Sequence, residues 1–327
     1  MDKVLAVIPS APGGPAVLKL VERPLPQAGP GQVLIRVAYA GINRHDAGQR
    51  TRGVPPAGAT DVLGLEVSGE IIAVGDGVSR DRLGEHICAL VNGGGYATHC
   101  LAESGLALPQ PSGLDQKQSA AIPEALFTAW FNLVELGSLQ AGSWVLVHGG
   151  AGGVGSFAIQ ISKALGCKVI VTASNGEKCD ACRRLGADVA VNYKQDDFVE
   201  AAGDATGGAG VQVILDIAGG LYAERNLRAL APDGYVVHLS SGAGANYSAP
   251  LSLIMAKRAR ITGSLLRPLP LRTKLAIAAK LQSELWPRLG RDIIPLIDSV
   301  FDLQDVVKAH QRLEANLHTG KILLSAR

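Results

Sequence analysis

The sequence predicts an α/β protein made of a partly open β-barrel and a doubly wound parallel sheet. Three observations predict it. Up to about residue 120 the chain runs in short β-rich segments cut by Gly and Pro, with almost no helical period. From Trp144 onward, apolar strands alternate with amphipathic helices, which calls for a parallel sheet covered on both faces. Between the first such strand and helix lies a glycine-rich turn, Val145-Leu-Val-His-Gly-Gly-Ala-Gly-Gly-Val-Gly155.

In the first part, residues 3–8, 32–40, 68–74, 85–91 and 96–101 carry β-branched, alternating or wholly apolar runs and read as strands. Pro109-Gln110-Pro111 marks the end of that pattern. Pro123 then starts a helix over 124–136, with Gly137 just past its end. Strands follow at 144–148, 168–172, 211–217 and 235–239, with helices at 154–165, 177–185 and 222–230. After Pro268 the pattern predicts two or three helices and a final strand, 321–324, which return to complete the first domain. The expected division is therefore 1–122 with 268–327 against 123–267.

Composition narrows the function. The chain has 327 residues, 47% hydrophobic and 18% charged, enough for two packed domains. Its 31 basic and 29 acidic residues leave a formal charge of +2, which offers no electrostatic footprint for nucleic acid or anionic lipid. Apolar runs such as 251–255 fall far short of a membrane span. Five cysteines, an odd count without framework spacing, suit a reducing compartment. Met1-Asp2-Lys3-Val4 lacks the basic-then-apolar build of a signal peptide, so a cytoplasmic location is expected.

Gly150, Gly152 and Gly155 give the G-x-G-x-x-G spacing of a dinucleotide-binding turn. Glycines let the backbone approach a pyrophosphate, and the helix N-terminus presents free N–H groups to it. Cofactor choice is read about twenty residues on, where a carboxylate would hold the ribose hydroxyls of NAD. Here that strand ends in Thr172-Ala173-Ser174-Asn175, Lys178 follows, and Tyr193 closes the next strand. Lysine and hydroxyl groups suit a 2′-phosphate that a carboxylate would repel, so NADPH is the expected cofactor.

At this point the sequence resembles the medium-chain dehydrogenase/reductases, and among them the zinc-independent, zeta-crystallin-like NADPH:quinone oxidoreductases. The residues that carry the resemblance are Gly41-Ile-Asn-Arg-His-Asp46, Leu63-Gly-Leu-Glu-Val-Ser-Gly69, Ala120-Ala-Ile-Pro-Glu124, Gly149 to Gly155, Asn192-Tyr-Lys194, Gly263-Ser-Leu-Leu266 and Thr319-Gly-Lys-Ile-Leu323. The resemblance covers essentially the whole chain. It implies a GroES-like catalytic domain, an inserted Rossmann domain and a nicotinamide cleft between them. It also implies site residues. Asn43 would lie by the nicotinamide and the acceptor; Gly150, Gly152, Gly153 and Val154 by the pyrophosphate. Ser174, Lys178 and Tyr193 would surround the adenosine phosphate, Gly219, Leu239 and Ser240 would follow later strand ends, and Ser264, Leu265 and Leu266 would meet the carboxamide.

Zinc-dependent relatives place a cysteine at position 43 and a histidine at position 65, where this chain has Asn43 and Leu65. Glu66 alone cannot supply three or four ligands, and Cys179 and Cys182 form a single pair on a predicted helix, so no metal is expected. An electron-poor quinone needs little Lewis-acid help, and Asn43 can donate its amide N–H to the acceptor oxygen. Reduction of an activated alkene (enal, enone or enoyl thioester) stays open as the alternative. His86, His148 and His238 read as packed or hydrogen-bonded strand residues, while His45 is a candidate to face the site. Where many such reductases carry a tyrosine, this chain has a predicted loop over 49–56 without an aromatic, leaving Tyr96, Phe127 or Trp130 to supply one. The segment 260–264 is expected as an edge strand through which two copies pair.

Overall fold

Segments rich in valine, isoleucine and leucine form the strands of both main sheets, because branched side chains pack well on a pleated surface. The computed structural model describes residues 3–56, 58–242 and 244–326. It falls into two units, Met1–Ala125 with Pro270–Arg327, and Leu126–Leu269.

The first unit opens with a two-stranded antiparallel sheet of β1 (Lys3–Pro9) and β2 (Leu18–Pro24). Then come β3 (Gln32–Gly41), α1 (Arg44–Arg52), β4 (Glu66–Val74), β5 (His86–Leu90), β6 (His99–Glu103), β7 (Ala107–Pro109) and the single-turn α2 (Gln116–Ser119). Helix α3 (Pro123–Trp130) begins at the expected proline, and its continuation Phe131–Leu136 is a π-helical turn capped by Gly137.

In the second unit, β8 (Trp144–His148), α4 (Gly153–Ala164), β9 (Lys168–Ala173), α5 (Gly176–Arg184) and β10 (Val189–Asn192) precede α6 (Phe198–Thr206). They are followed by β11 (Val211–Asp216), α7 (Ala223–Ala229), β12 (Leu230–His238), α8 (Leu251–Lys257) and β13 (Arg260–Gly263). All the strand pairs of this sheet are parallel, in the order β10-β9-β8-β11-β12-β13. Fully buried Leu146, Ile170, Ile214 and Val236 form its centre. The strand order reverses beside β8, and in such sheets ligands bind at the carboxyl ends of the strands at that point.

The chain then re-enters the first unit as α9 (Leu271–Glu284), β14 (Ile297–Asp302), α10 (Val306–Glu314) and β15 (Lys321–Ser325). The first unit's seven-stranded sheet runs β14-β15-β3-β4-β5-β7, with β6 also on β3. Strand β15 lies antiparallel to β3 with Leu323 opposite Gly41, so Lys321 lands beside the end of β3.

Several expectations are corrected. Residues 49–52, expected in a loop, form the last turn of α1. That helix escapes a search for apolar periodicity because what it buries is polar: Asp46, Gln49 and Arg50. The strand expected from residue 96 begins only at His99. Tyr96 is instead a fully buried loop residue. Strands β2, β7 and β14 and helices α2, α6 and α8 are additional to the sequence reading.

Candidate functional site

The second unit brings the predicted phosphate turn to the carboxyl end of β8. Gly149 sits at φ 68°, and a Cβ there would lie 2.3 Å from Ile217 Cδ1. A Cβ on Gly155 would lie 2.3 Å from Gly149 O, so only glycine lets α4 pack this closely on the turn. Gly152 differs: it precedes α4, and a Cβ there meets only Gly149 O, at 3.4 Å. The first intrahelical bond of α4 is Ser156 N–H to Gly152 O at 2.9 Å. The N–H groups ahead of it, at Gly153, Val154 and Gly155, are those a helix start leaves for an outside acceptor. Gly152, Gly153 and Val154 stand half-exposed at this helix start, whereas Gly150 is buried beneath it with its N–H bonded to Thr172 O at 3.0 Å.

At the end of β9, Ser174 is half-buried and Asn175 accepts the Lys178 N–H at 2.9 Å, starting α5. Lys178 is half-buried in that first turn and Glu177 is exposed. Tyr193 follows β10, 38% exposed, and its N–H donates to Ala173 O at 3.1 Å. Ser174 and Tyr193 therefore sit at neighbouring strand ends, and no carboxylate stands at the end of β9.

Further along the same sheet, a groove of about 370 Å³ is lined by His238, Leu239, Ser240, Ser241, Gly263, Ser264 and Leu265. Four of the predicted residues, Leu239, Ser240, Ser264 and Leu265, meet there. Leu266 is buried beside them, Gly219 sits in the turn after β11 at φ 89°, and Ser264 Oγ donates to Asn132 Oδ1 at 2.8 Å. Asp216 organises this end. Its carboxylate accepts from Ala218 N, Gly219 N and Asn226 Nδ2, and stands 3.2 Å from His238 Nδ1. Burial opposes its ionisation, but the His238 hydrogen bond and the charge of nearby His148 hold it below the ordinary carboxylate range. His148 is buried with partners on both ring nitrogens, Thr172 and Asn226. His86 is corrected: it lies exposed at the start of β5.

The first unit holds Asn43 between β3 and α1. Asp46 accepts from Asn43 N at 2.8 Å, Gly64 N at 3.1 Å and Tyr96 Oη at 3.0 Å. Asn43 Nδ2 donates to Glu66 Oε1 at 2.8 Å, and Lys321 Nζ donates to Asn43 Oδ1 at 2.7 Å. Lys321 also pairs with Glu66 Oε1, and Glu66 Oε2 accepts the Glu124 N–H at 2.9 Å. Glu66 is fully buried and the Lys321 side chain is 3% exposed. Burial, then the Glu66 charge, pushes the Glu124 carboxyl up to about 8; burial pushes Asp46 up to about 6. Lys321 and Glu124 were missed as site residues because neither stands near Asn43 in the chain. Tyr96, Phe127 and Trp130 are core residues, at most 1% exposed, and none offers an aromatic face.

These residues do not fit zinc. Position 43 is an amide and position 65 is buried Leu65. The carboxylate beside position 65, Glu66, is already bonded to an ammonium, an amide and a backbone N–H, and Asp46 is taken up by two backbone N–H groups and Tyr96. Among the described residues, no group of three or more His, Cys, Asp or Glu is placed to hold a metal ion. Cys179 and Cys182 are buried on α5.

A parallel sheet with a glycine turn and helix start at its strand reversal is the architecture of nucleotide-binding α/β proteins. Residues 29–122 match the alcohol dehydrogenase GroES-like domain, and residues 153–280 match the family described as zinc-binding dehydrogenase. Quinone oxidoreductase of Pseudomonas aeruginosa is 33% identical, with 96% of this chain and 97% of that protein covered. The crystallised quinone oxidoreductase of Thermus thermophilus, also solved with NADPH, is 31% identical with TM-score 0.83, covering 98% of this chain and 99% of that one. A phenolphthiocerol/phthiocerol polyketide synthase of Mycobacterium tuberculosis is 31% identical over 93% of this chain, which spans only 14% of that protein's length. The chain belongs to the medium-chain dehydrogenase/reductase superfamily, with the GroES-like and Rossmann domains of that family. Within the superfamily it is similar to the quinone oxidoreductases.

Proposed function

We propose that the protein is an NADPH-dependent, zinc-independent quinone oxidoreductase. The observation that carries the reading is that Ser174 after β9, Lys178 in the first turn of α5 and Tyr193 after β10 stand where a ribose-binding carboxylate is missing. A ribose-binding acid would repel a 2′-phosphate; a lysine with two hydroxyl groups accommodates it. When bound, NADPH supplies a hydride, two electrons with one proton, to the acceptor. The helix start at Gly152, Gly153 and Val154, over buried Gly150, binds its pyrophosphate, Gly219, Leu239 and Ser240 border the nicotinamide half, and Ser264 to Leu266 position the carboxamide.

Asn43 is the residue assigned to the acceptor. One of its N–H bonds is spent on Glu66; the other, held only by the 3.5 Å contact to Gly41 O, is the one that turns to the acceptor oxygen as reduction charges it. A quinone needs little further activation, and the one proton that completes the hydroquinone after hydride transfer can come from water. Two copies are proposed to pair through β13, the edge of the second unit's sheet, where Ile261 is 38% exposed. Among the described residues, no helix is long and apolar enough to cross a membrane.

The test is NADPH and NADH oxidation by purified protein with a para-quinone, an ortho-quinone and an enone, each with and without chelator. Quinone turnover with NADPH strongly preferred and no chelator effect is expected. Turnover of the enone alone moves the function to alkene reduction. Equal use of NADH removes the role given to Lys178 and Tyr193.

A further inference from the structure

Asn43 is held at both ends of its amide. Lys321 Nζ donates to Asn43 Oδ1 at 2.7 Å, to Ile42 O at 3.3 Å and to Glu66 Oε1. An ammonium has three donors, and all three are spent on acceptors of the first unit. Asn43 Nδ2 gives one N–H to Glu66 Oε1 at 2.8 Å; Gly41 O, at 3.5 Å, is too distant to hold the other well. The cation at one end and the carboxylate at the other allow only one orientation of the amide. The second N–H has only the long contact to Gly41 O at 3.5 Å, which an outside acceptor can displace.

We infer that Lys321 is a positioning residue for Asn43. The buried ammonium locks the amide and polarises it, so that the open N–H meets the acceptor oxygen as a strengthened donor. This rests on the acceptor role proposed for Asn43. The physical basis is twofold. A charge 3% exposed acts through a low dielectric, so its field on an amide 2.7 Å away is little screened. Hydrogen bonds in series also strengthen one another: a cation on the oxygen and a carboxylate on one N–H both draw the amide toward its charge-separated form. A salt bridge serving stability alone needs Glu66; the bond to Asn43 Oδ1 is what links Lys321 to the chemistry.

The test is a double-mutant cycle with an independent spectroscopic reading. Lys321→Met alone strands a buried carboxylate, so Lys321→Met/Glu66→Gln is made beside it, each with Asn43 or Asn43→Ala. Expected is a kcat for quinone reduced about ten-fold or more by Lys321→Met/Glu66→Gln, shrinking to under about two-fold in the Asn43→Ala background. The NADPH Kd, from fluorescence, stays unchanged. Proton–nitrogen NMR reads the Asn43 side-chain amide, identified by its loss in Asn43→Ala. Its two N–H signals are expected to lie far apart in the native protein and to converge when Lys321 is replaced. Equal kcat losses in both backgrounds, or Asn43 signals indifferent to Lys321, overturn the inference. Absence of any turnover in the native protein overturns the quinone reading instead, and the NMR arm still decides whether Lys321 holds Asn43.

Discussion

At the residue scale, Glu124 gives the clearest measurable consequence. It stands at the start of α3, where burial, Glu66 and Asp46 push its carboxyl from 4.5 up to about 8, against the lowering by Lys321 and Lys274. Asp46, raised by burial to about 6, acts in the same sense. The folded state therefore binds these protons more tightly than the unfolded chain. The stability they contribute is full below the unfolded carboxylate range and is lost as pH rises through the folded values. Glu124→Gln is expected to raise Tm at pH 8 by a few degrees and flatten the decline. Calorimetry from acid to mildly alkaline pH checks it; an unchanged slope refutes it. Asn43 and Leu65 were legible as departures from a zinc site because they are read by position in a motif. Lys321 was not, since it reaches Asn43 across 278 positions and only strand pairing brings the two together.

At the element scale, the strand–turn–helix from β8 to α4 separates a structural glycine from a binding one. Gly155→Ala places a methyl against Gly149 O, and overpacking of that kind costs about 1–3 kcal/mol, so Tm falls by several degrees. Gly152→Ala meets nothing closer than 3.4 Å, so it is expected to keep Tm within about a degree while weakening NADPH binding. A thermal melt and a fluorescence titration on both variants distinguish the two roles; equal Tm losses would merge them. In the first turn of α5, Lys178→Ala is expected to lose about ten-fold or more in NADPH affinity and to leave NADH unaffected. Parallel Kd losses for both nucleotides would show that Lys178 does not read the phosphate. The alternation behind this turn was legible because apolar runs and glycine spacing are local. Helix α1 was not, although Asn43, Asp46 and the left-handed Gly53 mark its two ends, because its buried face is polar.

At the scale of the whole molecule, the first unit is assembled from the two ends of the chain. Removing residues 321–327 takes β15 from between β14 and β3 and withdraws Lys321 from buried Glu66. The first unit is expected to unfold, while calorimetry retains a cooperative transition from the second. Loss of both transitions together would show that the second unit does not stand alone. At the free edge of the second sheet, Ile261→Lys is expected to yield a monomer in light scattering with an unchanged Tm. By itself the sequence determined the fold class, the order of strands and helices around the glycine turn, the missing zinc ligands and the missing carboxylate after β9. Each of these is written in near neighbours or in a motif with fixed spacing. Only the tertiary structure decided that Tyr96, Phe127 and Trp130 are core, that Asp46 and Glu66 bond backbone N–H groups, and that a lysine from the last strand holds Asn43. Burial and the partners of a buried charge depend on which distant strands lie side by side, and no local pattern records that.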